Sequence, residues 1–326
     1  MKIVITGGGG YLGSRLSLYL TEKGHQVIVV CSSEIPQKEG WTELISQFII
    51  GDIREEATIK RIASVHAEVI IHLISLDHHD SEKAPSFVSE VNVQPTWNLL
   101  DLCLSEYPVK KFIYFSSIHV YGKTQKDLVL ENQKVTPFNA YGLTHALSEE
   151  ICSYYNRKTD TDCLNIRLSN SYGEPVFYNA KCWDLIVNDL SKSAYLDKKI
   201  LLKGDGKSIR DFIHFSDICK GVASLIEGEI NIGDENTFHF SSFKSIRMLD
   251  VAIKVKEVYR KRYDVEIPIF INSTEEWFSE KSIHMENNYI SNSLAKKHSI
   301  EFVKDLKEGI ENIFTYLETE PWQKSV

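Results

Sequence analysis

The first thirteen residues, MKIVITGGGGYLG, constrain the fold more than any other part of the chain. Lys2-Ile3-Val4-Ile5-Thr6 is a short apolar run that reads as a buried strand, and Tyr11 to Leu20 reads as the helix after it. Between them Gly7, Gly10 and Gly13 stand at GxxGxxG spacing within a run of four glycines. A strand that turns at once into a helix makes an anion site. Backbone N–H groups and the positive helix end face the charge, and missing Cβ atoms let a pyrophosphate approach closely. Glycine triplets also serve plain turns, but one that follows a strand and opens a helix predicts dinucleotide binding.

The pattern continues through the first half. Gln26–Val30, Gln47–Ile50, Glu68–Leu73 and Lys111–Phe115 read as further strands, with helical stretches between them, among them a single helix over Ser86–Ser105. Strands that are apolar throughout and alternate with helices predict a parallel sheet covered on both faces. The crossovers put every carboxyl end on one rim, where ligands bind. The fold class expected is α/β, a doubly wound Rossmann sheet.

At 326 residues the chain is long enough for one large domain and a smaller lobe. With Lys+Arg 37 against Asp+Glu 45, its charge of −8 disfavours a nucleic-acid or anionic-membrane surface. No run approaches the ~20 apolar residues of a membrane span, and no signal-peptide pattern precedes the glycine loop. The six cysteines form no CxxC pair and read as reduced core residues, so a cytoplasmic location is expected. Asp77-His78-His79-Asp80 holds four metal-binding residue types. Neighbours on one loop rarely converge on an ion, and no partner ligands are evident, so no metal is expected and the loop reads as pocket lining or plain solvent exposure.

The end of the second strand decides between NAD and NADP, and the residues leave both open. An acidic residue there holds the ribose hydroxyls of NAD; here Cys31-Ser32-Ser33 stands, with Glu34 just beyond. Ser32 can donate to a ribose or a 2′-phosphate. Arg15, the nearest arginine, is either a phosphate ligand or a surface charge. Asp52-Ile53, after the third strand, suits an adenine, with a carboxylate for its amine and an apolar side chain for its ring; Asp52 is equally a helix cap before Arg54-Glu55-Glu56.

In order along the chain stand Thr6–Gly13, His72-Leu73, Val91-Asn92-Val93, Ser116-Ser117-Ile118-His119-Val120-Tyr121-Gly122, Tyr141, Arg167–Gly173, Gly204-Asp205-Gly206 and Arg210–His214. As an ordered set these resemble the extended short-chain dehydrogenases, and within them the nucleotide-sugar epimerases, dehydratases and reductases. The resemblance runs from residue 1 to about 315. It implies a sheet of about seven strands, with residues 1–170 and about 211–240 forming the dinucleotide domain and about 171–210 and 241–326 the substrate lobe. It adds Tyr11, Leu12, Leu73 and Asn92 to the cofactor contacts, and implies a homodimer built through the helix after the fourth strand and the tyrosine-bearing helix.

By the same resemblance Tyr141 is the base that takes the proton of a sugar hydroxyl, and Ser117 hydrogen-bonds the same oxygen. A phenol near pKa 10 needs a nearby positive charge to act at pH 7. The family supplies a lysine four residues on, one helical turn away on the same face; here that residue is His145. Histidine is mostly neutral at pH 7. His145 can still bond the nicotinamide ribose, Lys123 is an alternative cation, and a protein that binds cofactor without turnover is a third reading. The Asp-Glu pair that the family's dehydratases carry after the catalytic Ser/Thr is Ile118-His119, which sets dehydration aside. His119 is either a proton donor or pocket lining. Asn170 and Arg210 match positions that hold the diphosphate, Arg210 having an ion pair with Asp205 or Asp211 as its alternative. The expectation is hydride transfer at C4 of a nucleotide sugar, by an epimerase, or alternatively by a 4-ketoreductase.

Overall fold

Seven strands pair in parallel to form the central sheet of this computed structural model, which describes residues 1–32, 34–106, 109–123, 127–228, 235–271, 275–276 and 289–319. Ser33 and residues 320–326, named in the expectations above, lie outside the described residues. The first five strands are β1 (Lys2–Thr6), β2 (Gln26–Cys31), β3 (Gln47–Ile50), β4 (Val69–His72) and β5 (Lys111–Ser117). After the short β6 (Leu128–Val129) come β7 (Asp162–Leu168), β8 (Asn170–Tyr172), β9 (Ile200–Leu202), β10 (Ile209–His214), β11 (Thr237–Phe240), β12 (Ser245–Arg247) and β13 (Ile269–Ile271). The central order is β11-β7-β5-β4-β1-β2-β3. Ile3, Ile5, Val27, Val29, Ile71 and Ile113 fill one face, while Val4, Ile28, Ile70 and Phe112 fill the other. That two-sided burial is why these strands are apolar at every position rather than at alternate ones. The direction of strand succession reverses between β1 and β4, and the crevice at such a switch point is where an open parallel sheet takes its ligand.

The helices of the first half are α1 (Tyr11–Glu22), α2 (Glu56–Ala63), α3 (His78–Lys83), α4 (Pro85–Asn92), α5 (Gln94–Glu106) and α6 (Ala140–Lys158). The expected single helix over 86–105 is therefore two, broken at Val93. Pro95 cannot donate to the turn before it, and its ring crowds that turn.

Beyond β7 a second sheet pairs β8 parallel to β10 and β10 antiparallel to β12, setting Asn170 opposite Phe212 and Arg210 opposite Ile246. β9 and β13 pair in a third sheet. Helices α7 (Ile186–Asp197), α9 (Met248–Tyr263) and α10 (Leu306–Thr319) pack together. α8 (Phe215–Glu227) lies against α1, and one apolar core runs from Ile3 to Leu317. All six cysteines are buried. Among the described residues no helix is long and apolar enough to cross a membrane, and no group of side chains is arranged to hold a metal.

Candidate active site

The glycine loop folds as its spacing requires. Gly7 adopts φ +72°, its carbonyl accepts the Gly10 N–H at 2.9 Å, and a Cβ on Gly13 would lie 2.7 Å from the Gly8 Cα. Only glycine allows that turn and that approach of helix to loop. No side chain caps the N-terminus of α1, and its first turn holds no acidic residue. Its leading N–H groups therefore have no side-chain acceptor and point where an anion is stabilised.

From this loop a cavity of about 1530 Å³ runs along the carboxyl ends of the strands into the lobe. Single small-molecule sites are usually ~300–1,000 Å³, so there is room for a cofactor and a second ligand. Of the residues expected from sequence, Gly10, Tyr11, Ser117, His119, Tyr141, Asn170 and Arg210 line it together. Gly7, Leu12, Gly13, Ser32, Asp52, Ile53, Leu73, Asn92 and His145 are outside its lining.

Three of the expected residues have partners within the chain. Asp52 holds the Arg54 backbone N–H and guanidinium in a turn before α2, and Ile53 is buried in the core beneath that helix. Asn92 is fully buried and uses both ends of its amide: Oδ1 accepts the Leu76 N–H at 2.8 Å, and Nδ2 donates to Thr144 at 3.0 Å. It positions the loop after β4 against α6. Arg15 is not a lone surface charge. It pairs with Glu174 on the loop after β8, whose other carboxylate oxygen lies 3.3 Å from His214.

Tyr141, the expected base, stands in the first turn of α6. Asn139 starts that helix by accepting the Gly142 N–H at 2.8 Å, and Ser117, at the end of β5, lines the same cavity beside the phenol. Burial pushes the Tyr141 pKa upward, the nearby Tyr11 and Asp77 push the same way, and Ser117 opposes them. His145 meets the Tyr141 ring edge-on, with centroids 4.5 Å apart. It is 2 % exposed, and burial drives its pKa down to about 3, so at neutral pH it carries no charge. Its Nδ1 is hydrogen-bonded to the Tyr114 hydroxyl at 2.8 Å, while its buried Nε2 has no partner among the described residues. Lys123 does not supply the missing cation, since its ammonium sits 4.0 Å over the Phe138 ring.

Sequence reasoning missed Tyr114, whose only signal is a hydroxyl within the apolar run Phe112–Phe115 of β5. It also missed the polar group behind the catalytic helix. Glu149, two turns along α6 from Tyr141, accepts from Ser116 and forms a bidentate pair with Arg167 of β7 at 2.9 and 2.6 Å. Arg167 also donates to the Tyr121 hydroxyl, which is bonded to His239 of β11.

On the substrate side, Asn170 Nδ2 donates to the Asp211 carbonyl at 2.8 Å, linking β8 to β10. Asp211 is occupied by Ser169, Ser242 and the Lys244 N–H, and Asp205 by the Lys207 N–H. Among the described residues Arg210 makes no ion pair; it stands exposed on the cavity wall. His119 and His78 stand beside Tyr141, their ring centroids 5.6 and 6.3 Å from its own.

A doubly wound sheet, a glycine loop at its switch point and a Ser–Tyr pair at the next carboxyl ends define an enzyme of the extended short-chain dehydrogenase type. The family model described as "NAD dependent epimerase/dehydratase family" matches residues 3–236, and the chain belongs to that family. A putative UDP-glucose 4-epimerase of Methanocaldococcus jannaschii is 25% identical, with 97% of this chain and 98% of the relative covered. A dTDP-D-glucose 4,6-dehydratase of Dictyostelium discoideum is 29% identical over 78% of this chain and 61% of its own. Among solved structures, a UDP-glucose 4-epimerase of Thermotoga maritima shares the fold with a TM-score of 0.82 at 22% identity, covering 98% of this chain and 99% of that one.

Proposed function

We propose that this protein is a nucleotide-sugar 4-epimerase that retains NAD. The observation that carries the reading is the joining, in one cavity, of the α1 N-terminus, the Ser117–Tyr141 pair and an unpaired Arg210. The residues present fit the dinucleotide. The uncapped helix end and the Gly13 approach suit its pyrophosphate, and the unpartnered Nε2 of His145 suits a ribose hydroxyl. Arg15 is engaged by Glu174 and Glu34 lines the cavity near the end of β2, which supports NAD over NADP.

When bound, the nicotinamide supplies a hydride acceptor and donor. Tyr141 takes the proton of the 4-hydroxyl while Ser117 holds that oxygen, and Tyr141 later returns the proton once the 4-keto sugar has presented its other face. Arg210, with five donors, and Asn170 hold the diphosphate, which stays fixed while the sugar turns. The assembled acid–base pair argues against a scaffold that only binds cofactor.

Denaturing the purified protein and identifying the released small molecules by mass spectrometry tests this. Near-stoichiometric NAD supports the epimerase. An empty protein, or one with traces of NADP, supports a 4-ketoreductase with exchangeable cofactor. No affinity for either dinucleotide would overturn the reading. Tyr141→Phe should lower kcat by about 10²–10⁴-fold with binding intact.

A further inference from the structure

In a six-membered sugar ring C1 and C4 are opposite corners. With Tyr141 at the C4 oxygen, a diphosphate on C1 points away from it, and groups close to Tyr141 meet the substituents next to C4, at C3 or at C5. His119 and His78 occupy that place. Their ring centroids are 5.7 Å apart, and each ring lies beside Tyr141 on the cavity wall. The two come from different elements, the turn after β5 and the start of α3, so their meeting is a property of the fold rather than of one loop. Asn139 Nδ2 holds His78 by its Nδ1, at 3.2 Å, which leaves Nε2 for a ligand.

We propose that His119 and His78 together bind a carboxylate on C5 of the sugar, so that the site prefers a nucleotide uronic acid to the neutral hexose; this rests on the nucleotide-sugar reading above. Two imidazoles can each donate an N–H to one carboxylate oxygen, and either becomes a charge-assisted partner on protonation. A hydroxymethyl group offers a single oxygen and no charge.

The surrounding charges allow it. Arg210 acts on His119 from the β10 side, adding positive potential. Tyr141 and His145, from α6, are neutral at pH 7. Asp77, the carboxylate nearest on the loop, is turned into α3, where it accepts the Asp80 N–H at 2.8 Å. Asp80 is paired with Lys83, and Glu82 accepts the Ala140 N–H at 2.9 Å. His79 stands beside His78 with centroids 5.9 Å apart. Burial, His78 and Arg210 hold His119 below its ordinary pKa. A bound carboxylate raises the proton affinity of His119, and binding should therefore take up protons.

The test is titration calorimetry on the NAD-loaded Tyr141→Phe protein, which binds without turning over. The probes are UDP- and dTDP-linked glucuronate and glucose, at pH 6.0 and 8.5 and in two buffers of different ionisation enthalpy. We expect one nucleotide series to bind, its uronate about tenfold tighter than its hexose at pH 6.0 with net proton uptake, and the advantage to shrink at pH 8.5. His119→Gln and His78→Gln in that background should each reduce the advantage about threefold or more while leaving hexose binding within twofold. Equal affinity for uronate and hexose, or a uronate advantage with no proton uptake, would overturn the proposal and leave the nucleotide-sugar reading standing. Binding of no nucleotide sugar would overturn both.

Discussion

Position 145 changes how the catalytic base must work. An ammonium one turn from Tyr141 would lower the phenol's pKa, but the imidazole there is buried, neutral and bonded to Tyr114, and Tyr141 is held above its ordinary value. The positive charge of the oxidised cofactor is then the main help the phenol receives. We expect kcat to climb with pH through neutrality, approaching tenfold per unit while the phenolate fraction is small, with its plateau in the alkaline range. His145→Lys should keep or raise activity at pH 7 and bring that plateau down by about one unit or more. Pairing it with Tyr114→Phe removes the hydroxyl that Nδ1 now engages. A complete loss of activity with unchanged cofactor affinity in both variants would overturn this account of the position.

Helix α6 carries Tyr141 and His145 on one end, and its middle is anchored by the buried Glu149–Arg167 pair. Removing one partner of such a pair leaves an uncompensated charge, which destabilises by about 3–5 kcal/mol. Glu149→Ala should show that loss in urea titrations. A loss below about 1 kcal/mol would mean that water reaches Arg167. This pair also shows what the chain made legible. The strands β1, β2, β4 and β5 could be read because burial on both faces makes them largely apolar, and Ser117, Tyr141 and Arg210 were expected because each sits in a fixed local pattern. Glu149, Arg167 and Tyr114 act through partners 18 to 46 residues away, and nothing local marks such a pairing. The short strands of the lobe, β9, β12 and β13, have three residues each, too few to show a period. Their pairing is set by the chain that packs over them.

Across the whole molecule, buried neutral histidines set the acid limit. Burial holds His72 and His145 at about 3 and His239 at about 4, against an ordinary value of 6.5. Between those values the unfolded chain binds the extra protons, so stability is full above pH 6.5 and falls as pH drops, by about 1.4 kcal/mol per unit for each fully titrating histidine. Denaturant midpoints from pH 8 to 5 should fall below 6.5, and a flat profile there would overturn this assignment. The outer face of the catalytic helix carries the last expectation. Leu143, Leu147 and Tyr154 of α6 and Trp97 of α5 are 49, 45, 41 and 46 % exposed, and Trp97 stacks on Tyr154 with centroids 6.2 Å apart. Four large apolar side chains on two neighbouring helices make a stripe of the kind that partners cover. We propose that a second copy covers it, α5 and α6 of each protomer forming a four-helix bundle. Light scattering should then give twice the chain mass, and Leu147→Glu should give the single-chain mass with the far-ultraviolet spectrum unchanged. Because α6 also positions Tyr141, the separated chain should lose turnover as well as mass. A monomeric wild type with full activity would refute the bundle and leave the stripe without a partner of its own kind.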